Sequence, residues 1–115
     1  MLTEGWLPPE PFDVPFSATV APDSVVTVVR LGGELDLATE QKLARVLDEV
    51  LASTPGVVRL DLSDVTFCDA RGLAGLLAAR QRLRSAQRGL VLTGVPGHVR
   101  RLLAITGVAD HLNID

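Results

Sequence analysis

The sequence predicts an α/β fold, with helices packed over a mixed or mostly parallel sheet. Three observations predict it. Apolar and polar residues alternate through Val57–Leu62. Apolar residues recur every three or four positions at Leu43, Val46, Leu47, Val50 and Leu51. The two periodicities take turns along the chain, separated by clusters rich in Gly, Pro, Ser and Asp. A chain of 115 residues with 47% hydrophobic and 22% charged residues suits one domain with its own core.

Residues 1–15 are Pro-rich and without clear period, a tail or lead-in to a domain over 16–115. Phe16–Val20 predicts a short first strand, and Ala21-Pro22-Asp23-Ser24 a turn. The β-branched run Val25–Leu31 predicts a second strand, ended by Gly32-Gly33. Asp36 is placed to cap a first helix, which Ser53-Thr54-Pro55-Gly56 stops. Val57–Leu62 is the third strand, and Ser63–Cys68 a connection. Asp69 caps a second helix with Leu73, Leu76, Leu77 and Leu83 on its buried stripe; Ser85–Gly89 breaks it. Leu90–Thr93 is a fourth strand and Gly94-Val95-Pro96-Gly97 a turn. Val99, Leu102, Leu103 and Ile105 predict a third helix ended by Gly107, and Leu112–Ile114 a last short strand. The order is β-β-α-β-α-β-α, and right-handed crossovers put neighbouring helices on one side of the sheet.

Composition excludes several functions. Formal net charge is −3, with nine acids and three bases in residues 1–57 against five and eight in 58–115. That balance argues against nonspecific nucleic-acid binding, which rests on basic charge near phosphates. No run approaches the roughly 18 apolar residues of a membrane span, and the first ten residues lack the basic start of a signal peptide. The expectation is a cytoplasmic protein. His98 and His111 share no metal-ligand spacing with each other or with Cys68, so no metal is expected. No Walker loop, strand-linked GxGxxG or Gly-x-Ser-x-Gly elbow is present, and Asp48-Glu49 read as a solvated pair. With no nucleophile, base and oxyanion site assembled, neither an enzyme nor a cofactor is expected. Cys68, single and next to Asp69 in an apolar stretch, reads as a small buried filler rather than a reactive thiol.

The informative segment runs from Asp61 to Leu77: a strand end, an acidic connection, and an Asp capping a helix rich in small residues. It resembles the signature of STAS domains in anti-sigma factor antagonists, Asp-Leu-Ser-x-Val-x-Phe-x-Asp-Ser-Ser/Thr-Gly-Leu. Gly33–Thr39 is similar to the start of the first helix in that family. Leu92-Thr93-Gly94 and Val99–Leu103 with Thr106-Gly107 are similar to its third-helix region. The resemblance implies a four- to five-stranded mixed sheet with helices on one face. It also implies a binding role, in which the antagonist captures a serine-kinase-type anti-sigma factor and is released by phosphorylation just before the motif glycine. Here Arg71 stands at that acceptor position and Ala70 before it, so no phosphoacceptor is expected there. Asp36, Asp69, Ala70, Arg71, Gly72, Ala74, Gly75, Ala78 and Arg82 are the expected partner-binding residues. Arg71, Ala74, Gly75, Ala78 and Arg82 fall on one helical stripe, smooth between two guanidinium groups that suit an acidic partner. Arg80, Arg84 and Arg88 widen the basic surface or are simply solvated. Ser63 and Thr66 are read as hydrogen-bonding loop residues. The alternative reading is a non-enzymatic STAS subunit of a lipid-transport ABC complex or a stress-signalling assembly. A homodimer is left open.

Overall fold

The computed structural model describes residues 16–21 and 26–115. Residues 1–15, with their expected role as a lead-in, and most of the expected turn after Ala21 lie outside them. The elements run β1 (Phe16–Ala21), β2 (Val26–Leu35), α1 (Leu37–Ser53), β3 (Val57–Cys68), α2 (Ala70–Ser85), β4 (Leu90–Thr93) and α3 (Gly97–Thr106), then a 3-10 turn at Val108–His111. The sheet has four strands in the order β1-β2-β3-β4. β1 is antiparallel to β2, and the other two pairings are parallel, as helix crossovers require.

Register explains why the helices share one face. Val29 lies opposite Leu60, and Leu60 opposite Leu92. These side chains point to the same side and are 0% exposed. Leu43, Val46, Leu47 and Val50 of α1, Leu73, Leu76, Ala79 and Leu83 of α2, and Val99 and Leu103 of α3 meet them in a single core. The 3.6-residue and 2-residue periods of the sequence thus interlock. The opposite face, with Arg30, Arg59 and Asp61, carries none of these helices.

Three expectations need correction. Gly32-Gly33 do not end β2, which runs on to Leu35. Both glycines are paired with β1 on one side and β3 on the other. A Cβ on Gly32 would lie 2.6 Å from Ser17 Oγ, and Gly33 has φ 87° at an irregular step of the ladder. Glycine serves close approach and bulging here rather than termination. Second, Ser63–Cys68 is the outer half of β3, not a connection. β3 gains one residue on β2 between Asp61 and Asp64, and another between Val65 and Phe67. Each bulge shifts the inside–outside phase, so the alternation that reveals a strand disappears. Third, Leu112–Ile114 form no strand. One parallel bridge joins Leu92 to Ile114, with the Leu92 N–H donating to the Asn113 carbonyl and the Asp115 N–H to the Leu92 carbonyl, each at 2.8 Å. The third helix forms as expected and ends at Gly107, with Ile105 75% exposed because it lies off the Val99–Leu103 face.

One core residue is chemically out of place. Thr27 is fully buried, and its Oγ1 has no hydrogen-bond partner among the described residues. A buried hydroxyl without a partner costs about 1–3 kcal/mol. Thr27→Val should therefore raise stability by roughly 1 kcal/mol, or about 4 °C in Tm, as measured by thermal unfolding.

Candidate functional site

β2 and β3 finish side by side, with Leu35 opposite Cys68. The chain turns straight into a helix after each. Asp36 and Asp69, both in extended backbone, cap α1 and α2. Asp36 closes a capping box: its Oδ1 accepts from the Thr39 N–H at 3.2 Å, and its own N–H donates to Thr39 Oγ1 at 2.9 Å. Asp69 Oδ1 accepts from the Gly72 N–H at 2.9 Å. Two helix N-termini, each with unpaired N–H groups and partial positive charge, thus emerge at one end of the sheet.

The start of α2 is pressed onto the end of β2. The Asp69 N–H donates to the Leu35 carbonyl at 3.2 Å. A Cβ on Gly72 would stand 2.2 Å from that same carbonyl oxygen. Only glycine lets the helix begin there. Ala70 and Arg71, just before it, face outward.

Arg71 is held across the interhelical space. Its Nη2 lies 3.1 Å from Glu40 Oε2 in the first turn of α1. The pair ties the two helix starts together and offsets the misfit of a cation at a helix N-terminus. Because the Arg71 side chain is 57% exposed, the pair is worth only about 0.2–1 kcal/mol. Farther along, Arg82 pairs with Asp48 of α1. Between the two pairs runs a groove of about 230 Å³ lined by Ala44, Leu47, Gly75, Ala78 and Ala79. The structure therefore brings together Asp36, Asp69, Ala70, Arg71 and Gly72 at the helix starts, with Gly75, Ala78 and Arg82 along the groove. Ala74 and Ala78 are exposed; Gly75 and Gly72 are buried. Both guanidinium groups of the expected stripe already have a carboxylate from α1.

Sequence reasoning missed Glu40, whose role depends on which helix α2 packs against. It also missed two apolar side chains at the same end, Leu37 (63% exposed) and Phe67 (47% exposed). Leu37 was detectable, because it falls out of phase with the buried stripe of α1. Phe67 was concealed by the second bulge of β3.

The hydroxyls nearby are engaged. Ser63 donates to Asp61 Oδ1 through Oγ at 2.7 Å and through its N–H at 2.9 Å. These bonds, with Arg30 adding a smaller effect, hold the Asp61 carboxyl below the usual range. Thr66 Oγ1 donates to the Gly33 carbonyl at 3.2 Å.

Cys68 is half-buried, and its thiol is pushed up to about 11, first by burial and second by the Asp69 charge. A thiol with a raised folded-state pKa favours folding below its ordinary value near 9.0 and loses that contribution as pH rises toward 11. Native stability should fall over that interval, and Cys68→Ala should flatten the fall, as followed by urea denaturation at stepped pH. At pH 7.5 a disulfide reagent should label the native chain far more slowly than the unfolded one. Among the described residues, no group of three His, Cys, Asp or Glu could hold a metal ion, and no helix is long and apolar enough to cross a membrane.

Comparison with known proteins agrees with this geometry. The family model described as Mlab, STAS domain, matches residues 18–114. The Anti-sigma-B factor antagonist of Listeria monocytogenes is 34% identical over 84 residues, 73% of this chain and 74% of that one. The Anti-sigma-F factor antagonist RsfB of Mycobacterium tuberculosis is 37% identical over 79 residues, covering 68% and 65%. In three dimensions, the crystal structure of an anti-sigma factor antagonist from Mycobacterium paratuberculosis superposes with a TM-score of 0.75 at 27% identity, covering 86% of this chain and 84% of that one.

Proposed function

The chain belongs to the STAS domain family, and on that premise we propose that it is an anti-sigma factor antagonist. It binds a serine-kinase-type anti-sigma factor through the start of α2 and the adjoining turn of α1. The observation that carries this reading is the Asp69–Gly72 turn. Gly72 seats the helix on the Leu35 carbonyl, Asp69 caps it, and Ala70 and Arg71 are left outward on a rigid platform. Leu37 and Phe67 supply exposed apolar area beside it. Such a patch, apolar with an arginine, has the composition of a protein interface.

Arg71 changes how such a complex is controlled. Phosphorylation needs a hydroxyl, and neither Ala70 nor Arg71 has one. The negative charge that would separate the partners therefore never arises at this position, and capture of the partner is constitutive. The test is phosphate transfer. A kinase-type anti-sigma factor that binds this chain, given ATP, should leave the wild-type chain unlabelled and label Arg71→Ser. A docked complex of that pair with no labelling of Arg71→Ser would contradict the placement of Arg71 at the acceptor position. The missing hydroxyl also favours a second reading, in which the domain is a permanent non-enzymatic subunit of a lipid-transport ABC complex or a stress-signalling assembly. Co-purification with permease and ATPase subunits would support it.

A further inference from the structure

A second surface is built from the part of the chain that follows the helix cap. Residues 70–109 contain seven arginines and no acid, in a protein whose net charge is −3. Three of the seven are used internally. Arg71 and Arg82 pair with α1, and Arg88 donates to the Gly56 carbonyl and to Thr54 Oγ1. Arg80, Arg84, Arg100 and Arg101 have no carboxylate partner among the described residues. On α2, positions 80 and 84 lie one turn apart, on the flank turned away from the α1 groove. Arg100 and Arg101 are exposed on α3.

On α3, with Arg100 and Arg101, stands the most exposed large apolar side chain of the described residues, Ile105, at 75%. It is not a frayed end. Val99 and Leu103 anchor α3 in the core, and Gly107 closes the helix with φ 75°. Arg101 lies one turn before Ile105 on the same side of the helix.

We propose that the exposed side of α3 is a second protein-docking face, distinct from the start of α2. Its occupant is an acidic protein surface with an apolar recess for Ile105. An exposed apolar side chain beside an arginine fits a protein interface, where arginine is enriched around a fully buried apolar centre. Arginine also pairs carboxylates in fixed forked geometry, which suits a protein partner. A single-stranded nucleic acid fits less well, because residues 70–109 hold no Phe, Trp or Tyr to stack on bases. A membrane fits less well too, because an adsorbing helix turns a broad apolar face outward, and α3 buries Val99 and Leu103 instead.

The test titrates the full chain with a synthetic helical peptide carrying Glu on one face and Leu on the other. Amide shifts map the site, and fluorescence anisotropy gives Kd. Shift changes should concentrate at residues 98–106. Ile105→Ser should weaken binding at least fivefold without altering charge, and Arg100→Glu with Arg101→Glu at least tenfold. Arg45→Glu, a charge reversal on exposed α1, should change Kd less than twofold. Circular dichroism checks that each variant folds. Equal weakening by every charge reversal with no effect of Ile105→Ser would overturn the proposal, leaving only a diffuse cationic surface. Tighter binding to phosphatidylglycerol vesicles or duplex DNA than to the peptide would overturn it in favour of those partners. None of these substitutions lies at the start of α2, so neither result bears on the antagonist reading.

Discussion

Gly72→Ala is expected to cost about 3 kcal/mol, a large part of a native stability of roughly 5–15 kcal/mol. The added carbon would stand 2.2 Å from the Leu35 carbonyl oxygen, 2.7 Å from its carbon and 2.9 Å from Leu35 Cβ. Two of these atoms are backbone, at a residue that is itself 2% exposed in the core. Neither the helix nor the strand can shift without breaking the Asp69-to-Leu35 hydrogen bond or the ladder to Cys68. Gly75 gives the matched contrast. A Cβ there would meet Glu40 Cγ and Leu43 Cδ2 at 3.8 Å, ordinary contact. Gly75→Ala should stabilise α2 by about 0.5–1 kcal/mol, because alanine loses less backbone entropy than glycine in a helix. Urea denaturation of the two variants beside wild type measures both effects. Equal stabilisation of the two would show that helix propensity, not the close approach to Leu35, governs position 72.

The second large effect concerns binding. Arg71→Glu should weaken the complex with the anti-sigma factor by roughly tenfold or more, about 1.4 kcal/mol or above. It should barely change folding. The lost ion pair is a surface pair of small value, and a carboxylate in the first turn of α2 suits the helix dipole better than a guanidinium does. The new carboxylate would face Glu40 and reproduce at this position the sign of charge that phosphorylation brings. Arg71→Ala should fall between the two. Calorimetric titration gives the affinities and thermal unfolding the stability. A loss of affinity that tracked a loss of Tm would mean that Arg71 acts through folding rather than contact.

Most of the fold could be read from the sequence where one period held. α1, β4 and the caps at Asp36 and Asp69 were legible because the 3.6-residue stripe or the capping side chain identifies them locally. The outer half of β3 was not, because two bulges erased the alternation across Ser63–Cys68. The continuation of β2 through Gly32-Gly33 was also illegible. Its cause is a neighbouring strand, not the glycines themselves. The same division holds for the site. The cap, the glycine and Arg71 sit within four consecutive residues and declared themselves. Glu40 and Asp48 did not, since only the packing of α1 on α2 brings them to Arg71 and Arg82.

The most direct test of the central claim is affinity purification from cells that carry this gene, with the wild-type chain and Arg71→Glu as paired baits. The wild type should retain a kinase-type anti-sigma factor, and Arg71→Glu should lose it. Recovery of the same partners by both baits, or of membrane-transport subunits in place of the kinase, would contradict that claim.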